Sequence, residues 1–226
     1  MQGILNLGDN YQDNPNDFMV SYSNFEAHNA ILNWDKWHRL LIIGPPKSGK
    51  TLLAKIWQKN TGAVFFNNTE NVDGIEYNEK IIIDNIEDFS EEILINIINF
   101  ANEKSFSLLL TGVRYPSFLL RDLNSRIKAT YKVVIKEPDE ALLKLLIIKL
   151  FKQKQIGISE EIINFILSNV ERSYELIYEV ISLLDKLSKI AKRKITLPFV
   201  RAVVAKYYLI LESAPKDEFK TCSLFQ

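Results

Sequence analysis

Eight consecutive residues, Gly44, Pro45, Pro46, Lys47, Ser48, Gly49, Lys50 and Thr51, constrain this chain more than any other feature. They fit the pattern G-x-x-x-x-G-K-[ST], in which the backbone N–H groups of a glycine-containing loop curl around phosphate oxygens. The pattern carries physical meaning only between a buried strand and the start of a helix, where the helix N-terminus adds its own N–H groups. Both flanks meet that need. Residues 40–43 are an apolar run of strand length, and residues 50–60 read as a helix. In such a loop Gly49 lets the backbone approach closely, Lys50 reaches the β- and γ-phosphates, and Thr51 holds Mg²⁺. A bound ADP or ATP with Mg²⁺ is therefore expected.

A phosphate loop of this kind needs an acid at the end of a second strand to complete the magnesium shell. Residues 81–83, three isoleucines, end at Asp84 and supply it. Asn85 comes next, at a position where many ATPases of this architecture carry a glutamate that polarises the attacking water. Asparagine takes no proton, so slow intrinsic hydrolysis is expected.

The rest of the first 137 residues repeats one theme. Runs 40–43, 63–66, 81–83, 108–110 and 133–135 are apolar without polar alternation, as strands buried on both faces are. Helical segments 50–60 and 91–104 lie between them, the second with Glu91 and Glu92 in its first turn. This alternation predicts a five-stranded parallel sheet sandwiched by helices. Residues 18–37 read as partly helical, anchored by Phe25, Ile31, Leu32 and Trp34.

Glu137, Pro138 and Asp139 break the pattern, and no strand is needed from there to Tyr207. Helices are predicted over 139–154, 159–170 and 173–189, and Thr196 with Pro198 can start a fourth. Ile162, Phe165, Ile166 and Val170 share one face. Leu176, Val180, Leu183 and Leu187 share another, read as plain helix-bundle core. The expected organisation is a tail over 1–17, an α/β domain over 18–137, a small all-helical domain over 138–207 and a tail over 208–226.

Composition excludes several classes. Lysine plus arginine and aspartate plus glutamate balance at 28 each, whereas proteins that grip nucleic acid through many phosphates carry a basic excess. Little direct DNA binding is expected. The single cysteine, Cys222, forms no internal disulfide and no zinc site with two histidines. No apolar run is as long as a membrane span, and residues 1–17 lack the basic start and apolar stretch of a secretory signal. The expectation is a cytoplasmic protein with no membrane contact.

Three further motifs occur in order: Asp84-Asn85-Ile86-Glu87 after its strand, Leu109-Leu110-Thr111-Gly112, and Asp122-Leu123-Asn124-Ser125-Arg126. Together with residues 172–187 and 194–200 they resemble the Hda family, DnaA-related AAA+ proteins that switch off the bacterial initiator DnaA. The likeness covers roughly residues 18–205 and looks closest to the alphaproteobacterial branch. It implies an AAA+ sheet domain followed by a helical lid, with nucleotide between the lobes and the ADP-bound form at work. It also implies roles. Thr111 matches the first nucleotide sensor and Arg172 the second, on the lid. Arg126 matches an arginine finger that reaches a neighbouring subunit's nucleotide, a contact worth about 10³–10⁵ in rate where measured. The implied partners are DnaA and the DNA polymerase sliding clamp. Gln2, Leu5 and Leu7 resemble the family's short clamp-binding peptide, although Gly3 stands where a leucine is usual. Homo-oligomerisation is left open.

Departures from the family and its relatives matter too. Val113-Arg114-Tyr115-Pro116 stands where the family often has Asp-Arg-Pro-Pro. Residues 62–80 leave no room for the extra helices that engage single-stranded origin DNA in DnaA, and no helix-turn-helix segment follows the lid, so a full initiator is not expected. Two other readings stay open: a helicase-loader-type ATPase, which would turn over ATP by itself, and a nucleotide-stabilised adaptor, for which Arg126 would not matter.

Overall fold

The computed structural model describes residues 18–67 and 80–213. The chain divides into two compact units, Met1–Lys136 and Glu137–Gln226. In the first unit, helix α1 (Phe25–Leu32) and a 3-10 turn (Trp34–Lys36) lead into strand β1 (Arg39–Ile43). Helix α2 (Lys50–Thr61), β2 (Val64–Phe65), β3 (Lys80–Ile83), α3 (Glu91–Glu103), β4 (Ser107–Gly112), α4 (Arg121–Lys128) and β5 (Tyr131–Val134) follow. The five strands form one parallel sheet in the order β2-β3-β4-β1-β5.

Strand burial follows position in that order. The central strands β1, β3 and β4 are buried on both faces, which explains their unbroken apolar runs. Edge strands β2 and β5 are not: Val64, Tyr131 and Val134 are exposed. Alternate residues of β1 face opposite layers. Leu40 and Ile42 pack with Ala27, Ile31, Leu53 and Trp57 under α1 and α2. Leu41 and Ile43 pack with Leu94, Ile97, Leu123 and Ile127 under α3 and α4. Each large side chain so buried contributes about 1.5–3 kcal/mol.

Two expectations about apolar anchors need correction. Phe25 and Leu32 are 57% and 52% exposed, and α1 buries Ala27, Ala30 and Ile31 instead. A short helix at the edge of a layer has one narrow inward stripe, so its flanking apolar residues stay outside. Helix α4 was also not anticipated. Its strongly polar stretch buries only Leu123 and Ile127, too weak a pattern to read alone.

The second unit contains α5 (Glu140–Gln153), α6 (Glu160–Asn169), α7 (Tyr174–Ala191) and α8 (Leu197–Ser213). Side-chain oxygens of Asp139 and Ser173 cap α5 and α7 by accepting from the N–H groups of Leu142 and Leu176. The buried stripe of α7 runs through Tyr174, Ile177, Ile181 and Leu184, and includes Val180. Leu176, Leu183 and Leu187 are only half-buried. Two apolar stripes run side by side on this helix, and Leu183 and Leu187 instead line a shallow groove with Phe199 and Val203 of α8. Inside the unit Asp185 Oδ2 accepts from Lys154 and Lys189 at 3.2 and 2.9 Å. No helix among the described residues is long and apolar enough to cross a membrane.

Candidate functional site

The loop between β1 and α2 begins with a close approach. A Cβ on Gly44 would come within 2.7 Å of Ile135 Cβ, so only glycine fits. The chain then turns through Lys47, at φ +60°, and Gly49, at φ +94°, conformations that side chains other than Asn and Asp seldom adopt. These turns bring the first residues of α2 under the loop. Lys50 Nζ donates to the carbonyls of Gly44 and Pro45, both at 2.8 Å. Burial pulls the Lys50 ammonium below its ordinary range, against the opposing pull of the Glu87 and Asp84 carboxylates.

The ends of β3 and β4 meet the start of α2. Thr51 Oγ1 donates to Asp84 Oδ2 at 2.7 Å, and Thr111 Oγ1 donates to Asp84 Oδ1 at 2.6 Å. Thr111 Oγ1 also accepts from the Asn85 N–H at 2.8 Å. One fully buried hydroxyl thus orients the carboxylate of β3 and the backbone that follows it. Asn85 adopts φ +63°, and its side-chain amide donates to Asp88.

The loop has the features a polyphosphate needs. Ser48 Oγ is buried with no hydrogen-bond partner, an orphaned polar atom in the middle of the turn. Gly49, in a left-handed conformation, caps the N-terminus of α2, and Lys50 follows as the first helical residue. No group of three or more His, Cys, Asp or Glu gathers as a metal cage among the described residues. Thr51 and Asp84 would therefore be the protein's contribution to a Mg²⁺ shared with phosphate oxygens.

The expected site residues fall into separate places. Residues 44–51, Asp84, Asn85 and Thr111 converge at the C-terminal ends of the strands. Arg126 does not join them. It lies near the end of α4, where Nε donates to Asp122 Oδ2 at 3.0 Å and the side chain is 32% exposed. Arg172 belongs to the second unit, where Nη2 donates to Glu140 Oε2 at 2.7 Å across a well-exposed pair. Gln2, Leu5 and Leu7 lie outside the described residues.

Glu87, Glu91 and Phe18 make contacts that spacing in the sequence does not reveal. Glu87 Oε1 accepts from the Val113 N–H at 2.6 Å and faces Lys50, tying the segment after β4 to the site. The Glu91 carboxylate accepts from Leu119 and Leu120 N–H groups, each at 2.8 Å, and so fixes the entry to α4. Its position in the first turn of α3 had signalled only a favourable helix charge. Phe18 stacks on His28 with centroids 5.6 Å apart and packs close to Gly49. Burial pulls the His28 pKa down.

Comparison with known proteins follows this division. Residues 139–204 match the family model described as the Hda lid domain. Over 101 residues the chain is 33% identical to an uncharacterised protein of Haemophilus influenzae, and the match spans 43% of each protein, less than half of that relative's length. Among solved structures, domain III of the Thermotoga maritima replication initiation protein DnaA superposes with a TM-score of 0.71. It is 18% identical over 88% of this chain and 98% of its own. A replication initiator DnaA bound to AMPPCP and single-stranded DNA has a TM-score of 0.61 and 17% identity, over 81% of this chain and 69% of its own. Likeness at those identities is one of fold. The chain thus shares the fold of DnaA domain III, and its residues 139–204 match the Hda lid domain.

Proposed function

We propose that this chain binds ADP or ATP with Mg²⁺ through residues 44–51, Asp84 and Thr111, and acts as an Hda-like negative regulator of replication initiation. In this reading it stimulates ATP hydrolysis by DnaA together with the DNA-loaded sliding clamp. When bound, the nucleotide supplies the polyphosphate charge around which this chain's own groups are organised. Lys50 offers an ammonium, the loop and α2 offer N–H groups, and Thr111 holds Asp84 in one orientation. Asn85 provides no proton acceptor at the water position, so the isolated chain hydrolyses slowly.

The observation that carries the regulatory reading is the separation of Arg126 from residues 44–51. Arg126 sits on α4 just before Thr130, whose Oγ1 donates to the Arg126 carbonyl at 2.9 Å, and β5 then starts beside Leu40. That is the end of β1 remote from the loop. A guanidinium there serves a site on another subunit, not its own. The Arg172–Glu140 pair is exposed and weak, so a phosphate group could compete for Arg172. Gln2, Leu5 and Leu7 would recruit the chain to the clamp and raise the frequency of encounters with DnaA there.

The Arg126–Asp122 contact favours a second reading, in which Arg126 is an ordinary surface partner and the chain a non-catalytic adaptor. One experiment separates the two. ATP turnover by the cognate DnaA is measured with and without this chain and DNA-loaded clamp. Stimulation by the wild type and its loss in Arg126→Ala support the regulator. Equal stimulation by both leaves the adaptor. No stimulation by either removes the regulatory reading.

A further inference from the structure

Arg39 opens β1, at the end remote from residues 44–51. The strand rises about 3.3 Å per residue, so Arg39 stands about 13 Å from Ile43 along the sheet and cannot serve the same phosphate. Period-two alternation puts Arg39 on the face of Leu41 and Ile43, the layer that holds Leu123 and Ile127 of α4. Arg126 lies between those two residues in the last turn of α4, shortly before the start of β5. The two guanidiniums are therefore neighbours at the end of the strands remote from the loop. Burial and the nearby Arg126 charge both pull the Arg39 pKa down.

Among the described residues Arg39 has no anion of its own. Its Nη1 is buried without a hydrogen-bond partner, and no ion pair among the described residues includes it. One carboxylate, Asp122, pairs with Arg126. Among the described residues this leaves two guanidiniums with one paired carboxylate, and a half-buried unpaired guanidinium is costly to keep.

We propose that Arg39 and Arg126 together form a two-guanidinium site for the phosphate oxygens of a nucleotide held by a neighbouring AAA+ subunit. This inference rests on the regulatory reading above and extends it. A single carboxylate on the partner would neutralise one guanidinium. A polyphosphate offers several oxygens at once and suits two planar donors side by side. Arg39 supplies the second charge and donors for the group that Arg126 reaches.

The test uses the full-length chain carrying Arg39→Met, Arg39→Lys or Arg126→Ala, with ATP-loaded cognate DnaA and DNA-loaded clamp. Each mixture is titrated to saturation so that maximal stimulated turnover separates from the concentration giving half of it. Arg39→Met is expected to lower maximal stimulation by at least about tenfold, the value of one charge-assisted hydrogen bond. Arg39→Lys should recover part of it. Arg39→Met should keep or raise the melting temperature, because it removes an unpaired charge, and should leave ADP binding by this chain unchanged. A structural role would instead lower the melting temperature. The proposal is overturned if Arg39→Met retains full maximal stimulation while Arg126→Ala loses it. It is equally overturned if only the half-saturating concentration moves, which would assign Arg39 to a protein carboxylate at the interface. If Arg126→Ala itself stimulates normally, the regulatory reading fails first.

Discussion

Thr111→Val removes one oxygen and keeps the side-chain shape. In the wild type that oxygen is fully buried, donates to Asp84 at 2.6 Å and accepts from the Asn85 N–H at 2.8 Å. A hydrogen bond to a charged group is worth about 1.5–3 kcal/mol and a neutral one about 0.5–1.5 kcal/mol. The Asp84 carboxylate is half-exposed and regains water, whereas the Asn85 N–H loses its partner in a left-handed turn. A net loss of about 2 kcal/mol is expected, because Val for Thr is not a neutral exchange in a core. The measurement is urea unfolding of the full chain, followed by tryptophan fluorescence. Trp37 and Trp57 report on the same unit, with ring centroids 5.2 Å apart. For a slope of about 2 kcal/mol/M the midpoint should fall by about 1 M. Thr111→Ser keeps both bonds and should fall much less, and only Thr111→Val should weaken ADP binding through a misoriented Asp84. If Val lies within about 0.5 kcal/mol of wild type, the ordinary range for surface changes, the hydroxyl is not the organising group. A Ser variant as unstable as Val would put the effect on lost methyl packing instead.

Three further outcomes are expected. Lys50→Ala should weaken ADP and ATP binding by calorimetry at least about tenfold, the value of one charge-assisted bond, and unchanged affinities would remove the phosphate-loop assignment. Glu91→Ala, which frees the Leu119 and Leu120 N–H groups, should lower stimulation of DnaA while ADP affinity stays the same, since Glu91 positions α4 and not the loop; equal loss of both would mean general unfolding. In the second unit, burial raises the Asp185 pKa but the Lys189 and Lys154 contacts more than offset it and hold it below the ordinary carboxylate value. Stability from this group is present above the unfolded value of about 3.9 and is lost as pH falls through the folded one. Asp185→Ala should cost about 3 kcal/mol at neutral pH by urea unfolding and flatten the loss of stability in acid, and a steep acid limb in that variant would place the titration elsewhere.

The sheet was legible because its central strands are buried on both faces and separated by a helix with a loop of known chemistry. Residues 44–51 and Asp84 could be read for the same reason: strand ends and a glycine loop are local features. What could not be read was pairwise and distant. Glu91 lies 28 residues before the Leu119 N–H it accepts from, and Glu87 lies 26 before that of Val113. Neither distance leaves a trace in spacing or periodicity. Arg39 looks in sequence like a polar residue before a strand. Its significance appears only when pairing sets β1 against β5 and brings α4 alongside. The apolar anchors Phe25 and Leu32 misled because hydrophobicity was visible and direction was not.

The left-handed backbone at Asn85 has a consequence for how this chain could change. After glycine, asparagine and aspartate are the residues that best tolerate φ +63°. Glutamate, the acceptor that would polarise a water there, does not share that tolerance and would be strained by about 1–2 kcal/mol. It would also forfeit the amide contact with Asp88. Placing a glutamate at position 85 is thus uphill by a single substitution and needs a compensating change in the turn that follows β3.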